Sequence, residues 1–121
     1  NITGICFFLA WTPQQTAEMI QAITGWNTSV MELWLAGERA YTMARAFNAR
    51  EGFGPEDDLI HPRFTEPLPK GKVAGKTFTM EEYQAALRCF YDLMGWDAET
   101  GAPTPERLLD LDIPWVADLL R

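Results

Sequence analysis

Residues 27–52 read NTSVMELWLAGERAYTMARAFNAREG, and this stretch decides the fold class. Ser29 and Glu32 have the spacing of a capping box, in which hydroxyl and carboxylate each accept from the other's backbone N–H. Thr28 offers an alternative cap. Val30, Leu33, Trp34, Gly37, Tyr41, Ala44 and Asn48 share one face at helical period. The reading predicts a long helix that runs to about Arg50 and stops at Gly52.

The same punctuation recurs in both directions. Upstream, Thr12-Pro13 supplies a capping hydroxyl and a proline at the first helical position, and Gly25 closes the helix QQTAEMIQAIT. Downstream, Phe53 to Phe78 carries prolines 55, 62, 67 and 69 without a clear period, which predicts a long ordered loop over residues 53–78. Thr79 and Glu82 form a second capping box. They start a helix with Tyr83, Leu87, Phe90, Tyr91 and Met94 on its inner face and Gly95 as its stop. Thr104-Pro105 repeats the Thr-Pro start, and PWVADLLR makes a last apolar turn. No alternating β-branched run and no internal repeat is present. The expected fold is all-α: about five helices in a multihelical, orthogonal-type bundle, with residues 1–121 as a single helical domain.

Bulk properties narrow the function classes. The chain has 121 residues, 47% of them hydrophobic, with ten basic and seventeen acidic residues and a net charge of −7. No run of Lys or Arg gathers into a patch that could track phosphates, so nucleic acid and anionic membrane are poor partners. The apolar run from Ile5 to Trp11 is too short to span a bilayer and lacks the basic start of a signal peptide. Two cysteines, Cys6 and Cys89, and one histidine, His61, are too few for a self-contained zinc or iron–sulfur site, which needs about four ligands. A reduced, cytoplasmic setting is expected for the thiols.

Four groups of side chains carry chemical interest. Glu38, Arg39, Arg45, Asn48, Arg50 and Glu51 crowd the long helix. They form either a solvated face of weak ion pairs or a buried network reaching the loop acids Glu56, Asp57 and Asp58. Tyr41, Tyr83 and Tyr91 could donate protons but sit at core spacing. His61 has no partner in sequence that would give it a catalytic geometry. Cys89, inside a helix between Arg88 and Phe90, reads as a small buried filler. Cys6 sits in NITGICFFLAW, where apolar burial would make a thiol inert or, with a metal, shield a thiolate from water.

Three stretches together carry a resemblance: NITGIC, GERAYTMARAFNAREGFGPEDDLIHPRFTEPLP and MGWDAETGAPTPERLLDL. In order and spacing they are similar to the C-terminal domain of the tungsten-containing aldehyde:ferredoxin oxidoreductase family, from Asn1 to about Asp112. The resemblance implies a larger intracellular enzyme with one 4Fe–4S cluster and a tungsten (or molybdenum) bis-pterin. Such an enzyme converts a small aldehyde and water to a carboxylic acid and passes electrons to ferredoxin. It implies a cluster and pterin motif D-x-x-G-L-C, which here reads Asn1, Ile2, Thr3, Gly4, Ile5, Cys6. Cys6 then becomes the fourth cluster ligand, Gly4 and Ile5 backbone contacts to the pterin, and Asn1 an uncharged replacement of the family's aspartate. It also favours the packed-network reading of Arg39, Arg45, Asn48, Arg50 and Glu51.

No catalytic residue of the family falls in this chain, and its remaining domains would be partners. Two alternatives stay open: the same domain of a related tungsten enzyme such as an aromatic acyl-CoA reductase subunit, and a non-catalytic helical interaction module. The apolar start predicts self-association through the N-terminal segment, or its folding back on the domain. One thiolate cannot hold a cluster, so the isolated 121-residue chain is expected to be colourless, metal-free and inactive. Stoichiometric iron and sulfide with broad visible absorbance after reconstitution would contradict this.

Overall fold

Each α-helix begins where a hydroxyl can accept an otherwise unpaired N–H. The computed structural model describes residues 4–6, 8 and 10–120. Helix α1 spans Pro13–Thr24, α2 Val30–Arg50, α3 Met80–Met94 and α4 Pro105–Asp110. Short 3-10 turns cover Pro62–Thr65 and Pro114–Leu120. Among the described residues there is no strand, only an isolated bridge between Trp96 and Pro103.

The caps follow the sequence closely. In α2 the Ser29 hydroxyl accepts from the Glu32 N–H at 3.2 Å, and the Glu32 carboxylate accepts from the Ser29 N–H at 2.6 Å. Those bonds hold the Glu32 carboxyl below the usual range. Thr12 with Gln15, and Thr79 with Glu82, repeat the reciprocal pair. Gly25 and Gly95 end α1 and α3 at φ of 73° and 67°, a left-handed conformation that side chains other than glycine adopt at a cost.

The core forms where α2 meets α4 and the last 3-10 turn. Ala46, Leu108, Leu111, Ile113 and Val116 are buried together, with Leu35, Ala117 and Leu120 packed against them. Burying one such leucine stabilises the fold by roughly 1.5–3 kcal/mol. Asp112 takes a left-handed φ of 63°, which turns the chain out of α4. The Leu111 carbonyl at that turn accepts from Arg39 Nε of α2 at 2.6 Å, so a polar bond pins the corner of the apolar core.

Three expectations are revised. The buried stripe of α2 is Thr42, Arg45 and Ala46, with Leu35 beside it, whereas Trp34 and Tyr41 of the face picked out by periodicity are exposed. Cys89 is exposed on α3, because it lies about 200° around the helix from the buried Tyr91. Phe90 is also exposed, at the edge of its helix. Within 53–78 the structure adds the Pro62–Thr65 turn, capped by His61 Nδ1, which accepts from the Arg63 N–H at 3.1 Å.

The register of α4 is directly testable. Leu108→Ala should cost about 2–5 kcal/mol in urea unfolding, the range for opening a cavity in a packed core. Leu109→Ala, at an exposed position, should stay within about 0.5 kcal/mol.

Candidate functional site

The segment Gly4–Cys6 is the first candidate. Gly4 has a φ of 85°, which a residue with a Cβ rarely adopts, and it lies exposed. Ile5 is half-buried, and Cys6 is an exposed free thiol. Asn1, also expected at the pterin, lies outside the described residues, as do Ile2, Thr3, Phe7 and Leu9. Phe8 is 83% exposed and Trp11 is exposed as well. A backbone turned at Gly4 and a thiol unclaimed by a disulfide suit one corner of a metal cage. Among the described residues no group of three or more His, Cys, Asp or Glu side chains converges. Any further ligands would have to come from other polypeptide.

The second candidate is a polar knot between α2, α3 and the loops. Arg45 projects from α2 and is 6% exposed. Its Nη1 pairs with Asp58 Oδ2 at 2.7 Å, Nε donates to the Gly101 carbonyl at 2.7 Å, and Nη2 donates to Tyr91 Oη at 3.1 Å. The Tyr91 hydroxyl in turn donates to the Asp58 carboxylate, and the Tyr83 hydroxyl donates to the Asp58 carbonyl. The guanidinium also lies 5.3 Å from the ring centres of both Tyr91 and Trp96. At Gly101 an added Cβ would come within 1.9 Å of Arg45 Nη2, and its φ is 68°, so the position requires glycine twice over.

This knot decides between the two readings of the charged cluster on α2. Arg45 is buried and bonded through all three guanidinium nitrogens, Arg39 is half-buried with its Nε on the Leu111 carbonyl, and Arg50 forms a half-exposed pair with its neighbour Glu51 at 2.8 Å. Of the three loop acids only Asp58 joins. Asp57 caps its own turn by accepting from the Gly54 N–H at 2.9 Å, and Glu56 is exposed. Glu38 pairs instead with Arg107 of α4 at 2.5 Å. Gly101 and Arg107 were missed as partners; in sequence the only hint at Gly101 was its place in the turn TGAPT.

Burial, with help from the Asp58 carboxylate, pushes the Tyr91 phenol up to about 12, against the opposing effect of Arg45. Tyr91 is therefore a hydrogen-bonding strut at neutral pH. Beside the knot is an open cleft of about 260 Å³ lined by Tyr41, Ala44, Asn48, Asp58, Tyr83 and Leu87 among others. It holds hydrogen-bonding tips without an aligned nucleophile and base.

These features define a helical domain held by a buried arginine and offering one free thiol near its start. Known proteins place it further. The family model described as "Aldehyde ferredoxin oxidoreductase, domains 2 & 3" matches residues 1–113. The chain belongs to this family. It is 32% identical over 114 residues to a tungsten-containing aldehyde ferredoxin oxidoreductase of Pyrococcus furiosus, covering 91% of this chain and 18% of that protein. Over 58 residues it is 43% identical to the WOR-like subunit of an aliphatic sulfonate oxidoreductase from the same organism, covering 48% and 9%. Among solved structures, the active-site complex BamBC of benzoyl coenzyme A reductase with 1,5-dienoyl-CoA superposes with a TM-score of 0.69 at 29% identity. That match covers 89% of this chain and 15% of the other. The chain thus spans under a fifth of the relatives' length.

The raised Tyr91 value has a signed consequence. Between pH 10 and 12 the unfolded chain loses the phenolic proton while the folded chain keeps it, so stability falls as pH rises through that window. Urea unfolding from pH 9 to 12 should show the wild type converging on Tyr91→Phe, whose curve lacks this contribution. Parallel curves would contradict the assignment.

Proposed function

We propose that this chain is the C-terminal helical domain of a larger cytoplasmic tungstopterin and iron–sulfur oxidoreductase, and that Cys6 is the residue through which it enters the cofactor site. The observation that carries the reading is a free, exposed thiol two residues after a left-handed glycine, in a chain whose family match begins at residue 1. When bound, a tungsten–pterin centre supplies two-electron oxidation of an aldehyde to a carboxylate, with water as the oxygen source, and a 4Fe–4S cluster supplies a one-electron exit to ferredoxin.

The roles of this chain's own residues follow from their chemistry. Cys6 provides one thiolate, which metal binding deprotonates. The backbone at Gly4 and Ile5 offers hydrogen-bonding groups to a pterin edge, and Gly4 allows close approach because it has no side chain. Asn1 would add an amide there without charge. The apolar side chains of Phe8 and Trp11 would keep water from the thiolate once other domains cover them. The Arg45 knot contributes a rigid platform and no chemistry. A related reaction, reduction of an aromatic acyl thioester, is favoured by the superposition on a benzoyl coenzyme A reductase complex. The same Cys6 role would serve it.

The decisive experiment uses the full-length protein carrying this domain. As isolated anaerobically it should contain about four iron and four sulfide per cluster. Cys6→Ser should lower both and reduce the visible absorbance, while Cys89→Ser should leave them unchanged. Full iron content and an unaltered cluster spectrum in Cys6→Ser would remove the thiol from the site.

A further inference from the structure

The loop between α2 and α3 folds into an open cleft that shares no residue with the one beside the Arg45 knot. Its volume is about 710 Å³, within the roughly 300–1,000 Å³ of small-molecule sites. Local hydrogen bonds build its lining. The Pro62–Thr65 turn, capped by His61, carries Arg63 and Phe64. The Gly75 N–H donates to the Leu68 carbonyl at 2.9 Å, which closes residues 68–75 on themselves and brings Leu68 close to Lys76. Phe78 stacks on Tyr83 of α3 with ring centres 6.4 Å apart, and the Tyr83 hydroxyl donates to the Asp58 carbonyl. The lining is thereby tied to the rigid part of the fold.

Its side chains divide into an apolar and a cationic set. Phe64, Leu68 and Phe78 are exposed apolar surface. Among the described residues the ion pairs engage Arg45, Arg50 and Arg107, which leaves Arg63 and Lys76 without an acid partner. His61 Nδ1 accepts from the Arg63 N–H, so the proton of the neutral ring sits on Nε2, which can donate. Glu66 is the one acid of the lining, set against those two cations. The wider loop repeats the bias: all three lysines of the chain are Lys70, Lys72 and Lys76, and residues 61–78 hold four cations and one acid in a protein of net charge −7. Such a field draws a small anion to this loop and repels it elsewhere.

We propose that this cleft binds a small amphipathic carboxylate, its apolar body against Phe64, Leu68 and Phe78 and its head on Arg63 and Lys76. The planar fork of Arg63 can meet both carboxylate oxygens, and Lys76 adds a point charge. A polyphosphate is disfavoured, because two cations offset by Glu66 neutralise little beyond a single negative charge. A neutral apolar molecule would desolvate both cations and pair neither. The proposal stands apart from the role of Cys6, with which it shares no residue.

The test irradiates the full-length protein with 4-benzoylbenzoate, a photoreactive aromatic carboxylate, and maps the labelled peptides. The label should fall within residues 61–78 and disappear under excess 2-naphthoate. Neutral benzophenone should label that segment about tenfold less, as expected when charge-assisted hydrogen bonds are lost. Arg63→Gln combined with Lys76→Gln should lower 4-benzoylbenzoate labelling by a similar factor. Arg88→Gln, at an exposed cation on α3 outside the cleft, should leave it unchanged. Both substituted cleft side chains are exposed, and circular dichroism checks that the double variant stays folded. The comparison of the two probes on the parent protein stands whether or not it does. No label within residues 61–78, equal labelling by benzophenone, or undiminished labelling of the folded double variant would overturn the site. None of these results would alter the iron content on which the Cys6 reading is judged.

Discussion

The guanidinium of Arg45 is the constraint on which the rest of the structure depends. Asp58, Tyr91 and Gly101 lie in three different segments and meet on one planar cation. A guanidinium cannot shed its proton to escape burial, so every donor must be met by a carboxylate, a phenol or a carbonyl. Lysine would offer a single point charge without the fork that reaches three partners in fixed directions. The close approach then dictates glycine at 101 and fixes the loop after α3 against α2. A second arginine, Arg39, does the same for the corner after α4 through the Leu111 carbonyl. Two polar bolts therefore set the angle at which a small apolar core can close.

The helix starts were legible in sequence because caps are local physics. Ser29 with Glu32 and Thr79 with Glu82 satisfy backbone groups within one turn, and no distant residue can change that. The buried stripe of α2 was not legible, because periodicity reports where apolar residues sit and not which neighbour will meet them. With apolar residues on two sides, the rule selected the face around Trp34 and Tyr41, while the core took Leu35 and Ala46. The choice among Glu56, Asp57 and Asp58 was similarly hidden. Three adjacent acids are equivalent in composition, and only the turn that Asp57 closes on Gly54 sends Asp58 towards Arg45. Cys89 looked buried because thiols usually are, but α3 turns that position outward.

The candidate site was legible only by likeness. Nothing in composition marks Cys6 as a ligand, and the described structure offers it no companion ligands. The structure adds the conformational detail that makes the likeness chemically sensible: a left-handed glycine and an unpaired thiol in sequence with apolar side chains.

Aromatic surface is concentrated outside the core. Trp11, Trp26, Trp34 and Trp115 are exposed, and of the five tryptophans in the chain only Trp96 is buried. A domain shaped to meet water on all sides would invert that ratio, because tryptophan contributes most when removed from solvent. Covering the N-terminal segment would lower the dielectric around Cys6 and strengthen a thiolate–metal bond. The exposed tryptophans and the exposed Cys6 thiol lie on a domain whose buried core is confined to the meeting of α2, α4 and the last turn.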